Sequence, residues 1–228
     1  IAQESNEKEE EAAVEEVVVT GIRSSLKNAI DIKRKNVGVV DAITAEDIGK
    51  FPDGNLAESL SRIVGVAIDR SNVEGSKVAV RGLGPEFNLV TLNGRQMPTV
   101  PGTYGGGRSF DFGDISSHGV SAVEVYKSAN AALPTGGIGA TINMVTTKPL
   151  EVGKTVGSFA VKAMIDTENE QGDEVTPELD FVFSTIGEDY NGGSWGLSFS
   201  GTHQVRHNRE EGTNEITWNP STVENYLP

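Results

Sequence analysis

Asn55-Leu56-Ala57-Glu58-Ser59-Leu60-Ser61-Arg62-Ile63-Val64-Gly65-Val66-Ala67-Ile68 reads as a capped helix, a stop and a strand. Asn55 is a good N-cap, because its side-chain oxygen can accept from a backbone N–H of the first turn. Leu56, Leu60 and Ile63 fall on one helical face, at i, i+4 and i+7. Gly65 ends the helix. Upstream, Phe51-Pro52-Asp53-Gly54 is a turn, and Thr44-Ala45-Glu46-Asp47 reads as a helix start with acids in its first turn. Val37–Thr44 before it is a short apolar strand. Downstream, Lys77–Val80 is a strand closed by Arg81-Gly82-Leu83-Gly84-Pro85, and Asn88–Leu92 is closed by Asn93-Gly94, a strong turn signal. Pro98 to Arg108 is a loop with Gly102, Gly105, Gly106, Gly107 and the aromatic Tyr104. Val120–Tyr126 alternates as a strand, and Ala129–Leu133 reads as a helical turn before Pro134. Gly136, Gly137 and Gly139 then bend the chain into the strand Ala140–Thr146, and Pro149 closes a compact α/β domain.

From Thr155 the period changes. Phe159, Val161, Ala163 and Ile165 share one face of a long strand, with Lys162 and Asp166 on the other and Met164 blurring that face. Leu179, Phe181 and Phe183 repeat the pattern against Glu178, Asp180 and Ser184. Trp195, Leu197 and Phe199 repeat it against Ser194, Ser198, Ser200 and Thr202. A soluble β-sandwich shows such alternation. So does a membrane barrel, whose strands run about 9–11 residues. An acidic linker, Thr167–Thr176, joins the first two runs, and a short turn, Gly187–Gly193, joins the last two.

The 228 residues predict one or two domains. The net charge of -14 argues against a nucleic-acid binder, since phosphate contacts need clustered cations. The absence of cysteine excludes disulfides, thiolate zinc sites and cysteine nucleophiles, and fits an oxidising compartment. Charge is uneven. Residues 1–20 hold seven Glu and one Lys, for -6. Residues 21–148 hold 14 basic and 12 acidic residues, for +2, and residues 149–228 hold 4 and 14, for -10. The Glu-rich leader, residues 1–14, resists collapse and reads as disordered, with no signal-peptide pattern. Behind it, Glu15-Glu16-Val17-Val18-Val19-Thr20-Gly21 is rich in β formers. It suits either strand addition to a partner's sheet edge or an ordinary first strand.

Candidate catalytic patterns fail on context. Gly192-Gly193-Ser194-Trp195-Gly196 matches a nucleophile elbow, but a period-2 run follows where the elbow needs a helix. Gly153-Lys154-Thr155 lacks the upstream glycine of a P-loop, since Lys148 stands there. His203 and His207 lie about 13 Å apart on a strand and cannot share an ion. Gly102–Gly107 beside Arg108 reads as a flexible or ligand-facing loop. The expectation is no enzyme, no cofactor and no metal.

In order along the chain, several segments resemble those of TonB-dependent outer-membrane receptors. Glu16-Val17-Val18-Val19-Thr20-Gly21 resembles the TonB box. Asn55 to Leu60, through Gly65-Val66, is similar to the plug's first helix and turn. Val80-Arg81-Gly82 and Leu92-Asn93-Gly94-Arg95 resemble its central strand ends. Val123 to Lys127, then Ala131 to Asn143, resembles the closing segment. Phe110-Asp111-Phe112 is similar to receptors linked to carbohydrate uptake. The resemblance covers about residues 15–149, and the tail then fits the first barrel strands. It implies an α+β plug domain followed by the antiparallel strands that begin a transmembrane β-barrel of about 22 strands.

The implied division is leader 1–14, TonB box 15–21, plug 22–149 and barrel strands 150–228. The implied function is energised uptake of a scarce nutrient, an oligosaccharide or, alternatively, a siderophore or other metal chelate. A soluble plug-like signalling or binding module is the competing class. The implied partners are TonB with ExbB and ExbD, outer-membrane lipid and an extracellular substrate, in the outer membrane of a Gram-negative cell with the box reaching the periplasm. Glu16, Val17, Val18, Val19 and Thr20 would bind TonB. Pro85, Glu86, Phe87, Asn88, Thr103, Tyr104 and Arg108 would form apical substrate loops, with Tyr104 stacking on a sugar ring. Arg81 and Arg95 would anchor plug to barrel or turn rather than touch substrate. Three strands cannot close a barrel and leave edges that lipid cannot satisfy, so a longer polypeptide is expected.

Overall fold

The computed structural model describes residues 23, 25–45, 55–71, 74–99, 107–113, 115, 117–165, 172, 175–190, 192–205 and 207. Glu16–Thr20, Thr103, Tyr104, the leader, the turn Phe51–Gly54 and all but the first two residues of the helix start at Thr44 lie outside the described residues.

Residue 23 is helical, and a helix over 25–35 (α1) follows at the start of the described chain. Lys33, Arg34 and Lys35 in its last turn complement the negative end of the helix dipole. Val40–Thr44 (β1) follows, starting three residues later than the sequence pattern suggests. The short helix Leu56–Leu60 (α2) is capped as expected: Asn55 accepts from the Glu58 N–H at 3.2 Å. Val66–Ser71 (β2) and Glu74–Val80 (β3) form an antiparallel hairpin with a register shift at Asp69/Arg70. A 3-10 turn at Pro85–Phe87 leads into Leu89–Leu92 (β4), and Asn93-Gly94, both at positive φ, turn it back into Arg95–Gln96 (β5). Val120–Tyr126 (β6) and Thr141–Thr146 (β7) complete the first unit. Ala129–Leu133 is a turn rather than a helical turn. The Asn130 side chain accepts from the Ala132 N–H at 3.0 Å and so competes with helix.

The sheet order is β1-β6-β7-β4-β5, with β4 and β7 parallel and the other pairs antiparallel. Leu56, Leu60 and Ile63 pack with Val78, Val80, Val90, Val123, Val125, Ile142 and Met144 in one core. Phe110 and Phe112 join it edge to face, ring centroids 4.9 Å apart. Each such side chain contributes about 1.5–3 kcal/mol on burial.

Pro149–Val152 (α3) is a single turn ended by Gly153 in the left-handed region. Val156–Ile165 (β8), Val175–Glu188 (β9) and Ser194–Gln204 (β10) then form an antiparallel sheet in the order β10-β9-β8. Their register puts Phe159 beside Phe181 and Phe183 beside Phe199, so the aromatic residues share one exposed face. Thr176, Glu178, Asp180 and Ser184 on the other face are buried. Ser194 starts a strand, so the local geometry of a nucleophile elbow is missing there. Among the described residues no helix is long and apolar enough to cross a membrane, which does not bear on strands.

Candidate functional site

The loop cluster forms where β4 and β7 begin. Arg81 sits at φ 56°, a left-handed conformation costly for a residue with a Cβ. From there its Nη2 donates to the Gly139 carbonyl at 2.6 Å and to the Ile138 carbonyl at 3.3 Å. The Gly139 N–H donates to Phe87 O at 2.9 Å, and Asn88 Nδ2 donates to Val78 O at 2.7 Å. A Cβ on Gly139 would lie 2.5 Å from Asn88 Oδ1, so this close approach requires glycine. Arg108 reaches the same loop, its Nη2 2.9 Å from where a Gly136 Cβ would stand. The structure thus brings Arg81, Pro85–Asn88 and Arg108 together, with Phe87 and Ile138 exposed. Arg95 lies exposed on β5, at the far end of β4.

This cluster shares its end of the sheet with the chain's entry into β1. The Lys127 ammonium donates to Asp41 Oδ2 and to the Val64 carbonyl, both at 2.5 Å, and Lys33 also pairs with Asp41. Burial would raise the Asp41 carboxyl, but Lys127 and Lys33 together hold it below the usual carboxylate range.

A polar chain crosses the sheet face opposite the core. Tyr126 and Asn143 Nδ2 both donate to Glu124 Oε2, at 2.9 and 3.1 Å. Thr91 and the Gly94 N–H both donate to Asn143 Oδ1 at 2.9 Å. Burial, and then Glu124, push the Tyr126 phenol up to about 12.

The bridge between the two sheets is made by His118. Its Nδ1 lies 3.3 Å from Asp180 Oδ2, and Lys162 reaches Glu178 at 3.1 Å and Asp180 at 3.4 Å. Thr202 donates to Asp180 Oδ1 at 2.7 Å. His118, Glu178 and Asp180 hold donor atoms within 4.8 Å of one another, as a metal site would. The Lys162 ammonium already supplies a cation to both carboxylates, so the group reads as a buried ion cluster. Beside it Gly119, at φ 87°, packs so that a Cβ would meet Ser200 Oγ at 2.5 Å. Of the two residues expected to anchor plug to barrel or turn, Arg81 makes its hydrogen bonds to the Gly139 and Ile138 carbonyls of a turn in its own unit. Nothing in the local pattern around His118 signals its partner, because Asp180 is brought to it only by tertiary folding.

Residues 32–141 match the family model of the TonB-dependent receptor plug domain. The chain carries a TonB-dependent receptor plug. Solved structures agree in fold. The ferric enterobactin receptor PfeA of Pseudomonas aeruginosa shares 22% identity at a TM-score of 0.55, over 77% of this chain and 26% of that one. The outer-membrane transporter YddB of Escherichia coli shares 14% at 0.51, over 72% and 26%. The hemophore receptor HasR of Serratia marcescens, solved with its hemophore HasA and heme, shares 14% at 0.50, over 74% and 32%. The chain therefore spans about a quarter to a third of the solved receptors it matches. No curated protein matches by sequence. The α+β unit is the plug, and β8–β10 are antiparallel strands of the kind that begin the receptor barrel.

Proposed function

We propose that these residues form the N-terminal portion of a TonB-dependent outer-membrane transporter, in which the plug gates the barrel. Glu16–Thr20 serves as the strand that TonB, with ExbB and ExbD, captures from the periplasm. The observation that carries this reading is one plug unit joined by a single-turn helix to strands with an aromatic outer face and a polar inner one. Lipid is the medium that such an outer face suits. The plug extends from 22 to 149, and the chemistry is binding and gating without covalent steps.

The cargo is a scarce nutrient. An oligosaccharide is one reading, supported by the Phe110-Asp111-Phe112 resemblance, although both rings are buried in the core. A siderophore or other metal chelate is the second, supported by the ferric enterobactin receptor among the solved relatives. Arg108 and the exposed Phe87 are the plug residues offered to cargo, together with Pro85, Glu86, Thr103 and Tyr104, whereas Asn88 is buried with its amide on the Val78 carbonyl and is withdrawn from that set.

A peptide of Glu15–Gly21 titrated against a TonB C-terminal domain tests the coupling. Saturable binding that is lost when Val18 becomes Pro is the expected result, and no binding removes the energy source. For the cargo, ferric siderophores and maltooligosaccharides titrated onto the full receptor give opposite answers for the two readings.

A further inference from the structure

We propose that Asn93-Gly94 is a deamidation site that the folded plug keeps closed, and that it is modified when β4 parts from β7. The reaction needs only water as co-reactant. The Gly94 backbone nitrogen attacks Asn93 Cγ, a new N–C bond forms, and Nδ2 is expelled. The Gly94 proton leaves with it as ammonia. One water then opens the five-membered imide at either carbonyl. The product is aspartate, or isoaspartate with one extra carbon in the backbone.

The pair is set up for this chemistry. Gly94 has open space where a Cβ would stand, so no side chain obstructs the attacking nitrogen. Both residues are exposed, so water reaches the turn. They lie at φ 51° and 78°, the two positive values that a tight hairpin turn between β4 and β5 requires.

The fold withholds both conditions for attack. The attacking nitrogen must first lose its proton to solvent base, and here the Gly94 N–H donates to Asn143 Oδ1 at 2.9 Å. Asn143 is itself fixed. Its Oδ1 also accepts from the Thr91 hydroxyl at 2.9 Å, and its Nδ2 donates to Glu124 Oε2 on β6 at 3.1 Å. The Asn93 amide must also be free to swing toward Gly94, and one residue clasps it at both ends. Asn93 Nδ2 donates to Thr146 Oγ1 at 2.9 Å, and its Oδ1 accepts from the Thr146 N–H at 3.0 Å. The Asn93 N–H donates to Met144 O at 2.8 Å. Asn143, Met144 and Thr146 all belong to β7. Parting β4 from β5 alone leaves every clasp in place, whereas parting β4 from β7 releases all of them together.

Modification then marks the plug that opened. An isoaspartate at 93 lengthens the turn, so the pairs Thr91–Gln96 and Leu92–Arg95 and the bond to Met144 no longer fit one register. A plug modified while open recloses with a distorted β4–β5 turn.

The test is peptide mass spectrometry on the full-length receptor in its membrane, held in mildly alkaline buffer, with aspartate and isoaspartate at position 93 counted over time. Asn93 should deamidate in the folded receptor more slowly than in the urea-unfolded one by about tenfold or more, the factor that 1.4 kcal/mol of closure gives. Equal rates overturn the proposal. Asn143→Ala removes the acceptor of the Gly94 N–H and should speed the folded-state reaction about fivefold, the scale of one lost hydrogen bond. Leu60→Ala loosens the plug core and leaves the clasp intact, so its rate should stay near that of the unaltered receptor. A rate with Asn143→Ala no higher than with Leu60→Ala overturns the clasp, because unfolding of the whole plug would then be the route to modification.

Discussion

The plug and the strands that follow it solve opposite packing problems with the same alternating pattern. In the plug, one face of the sheet carries Val90, Val123, Val125, Ile142 and Met144 inward onto α2, and the water-averse side chains are hidden. In β8–β10 the large apolar side chains lie outside: Phe159, Phe181 and Phe199 are 70%, 48% and 57% exposed. What these strands bury is Glu178, Asp180 and Ser184, on the face toward His118. A strand's period of two does not say which face is interior. The medium around the sheet decides that, and two adjoining sheets in one chain can answer differently.

The largest effect that would break this comparison is in the plug core. Leu60→Ala removes a fully buried side chain and should cost about 2–5 kcal/mol. Denaturant unfolding of the full receptor should show the plug transition shifting while the barrel transition stays. If Leu60 proved as tolerant as a surface leucine, α2 would not be anchoring the core.

The converse substitution is Phe181→Arg on the outward face of β9. In lipid it should cost about 2–4 kcal/mol, read as lower folding yield into vesicles, with plug stability unchanged. In a soluble sheet the same change would be nearly neutral, so this substitution separates the two media directly.

Asn143→Ala probes the second face of the plug sheet. It leaves the Thr91 hydroxyl and the Gly94 N–H without their acceptor, which should lower plug stability by about 1–3 kcal/mol. The smallest effect comes from pH. The ordinary Tyr value is 10.0 and Tyr126 is pushed up to about 12, so between these the unfolded chain releases a proton that the folded one keeps. Stability from this contact is therefore complete below pH 10 and declines as pH rises through about 12. Tyr126→Phe should flatten that decline, and phenolate absorbance during titration checks it.

Where neighbours in sequence are neighbours in space, the fold is legible in the sequence. The Asn55 cap, the stripe Leu56, Leu60 and Ile63, the Asn93-Gly94 turn and the aromatic face of β8–β10 are all visible from spacing. α1 is not visible, because the residues it turns away from solvent, Ser25, Ala29, Asp31 and Ile32, form no apolar stripe, while Leu26 and Ile30 are exposed. The site fared less well for the same reason. The loop holding Pro85–Asn88 could be found, but not that Arg81 turns inward to hold Gly139. The His118–Asp180 contact joins residues from different sheets, and no local period encodes it.

The strand order has a consequence for how the plug comes into being. β7 is the last strand of the unit in sequence, and it lies between β6 and β4, bonded to both. Among the described strands of this sheet, only a β1–β6 pair and a β4–β5 pair can form until residue 146 is available, with nothing joining them, beside the separate β2–β3 hairpin. Ile142 and Met144, which are fully buried, are missing from the core until then. A polypeptide emerging from its N-terminus therefore has no closed sheet to lock into during most of its delivery. The design keeps the domain open and threadable until its final strand arrives, and the long-range pairing makes that closing step slow.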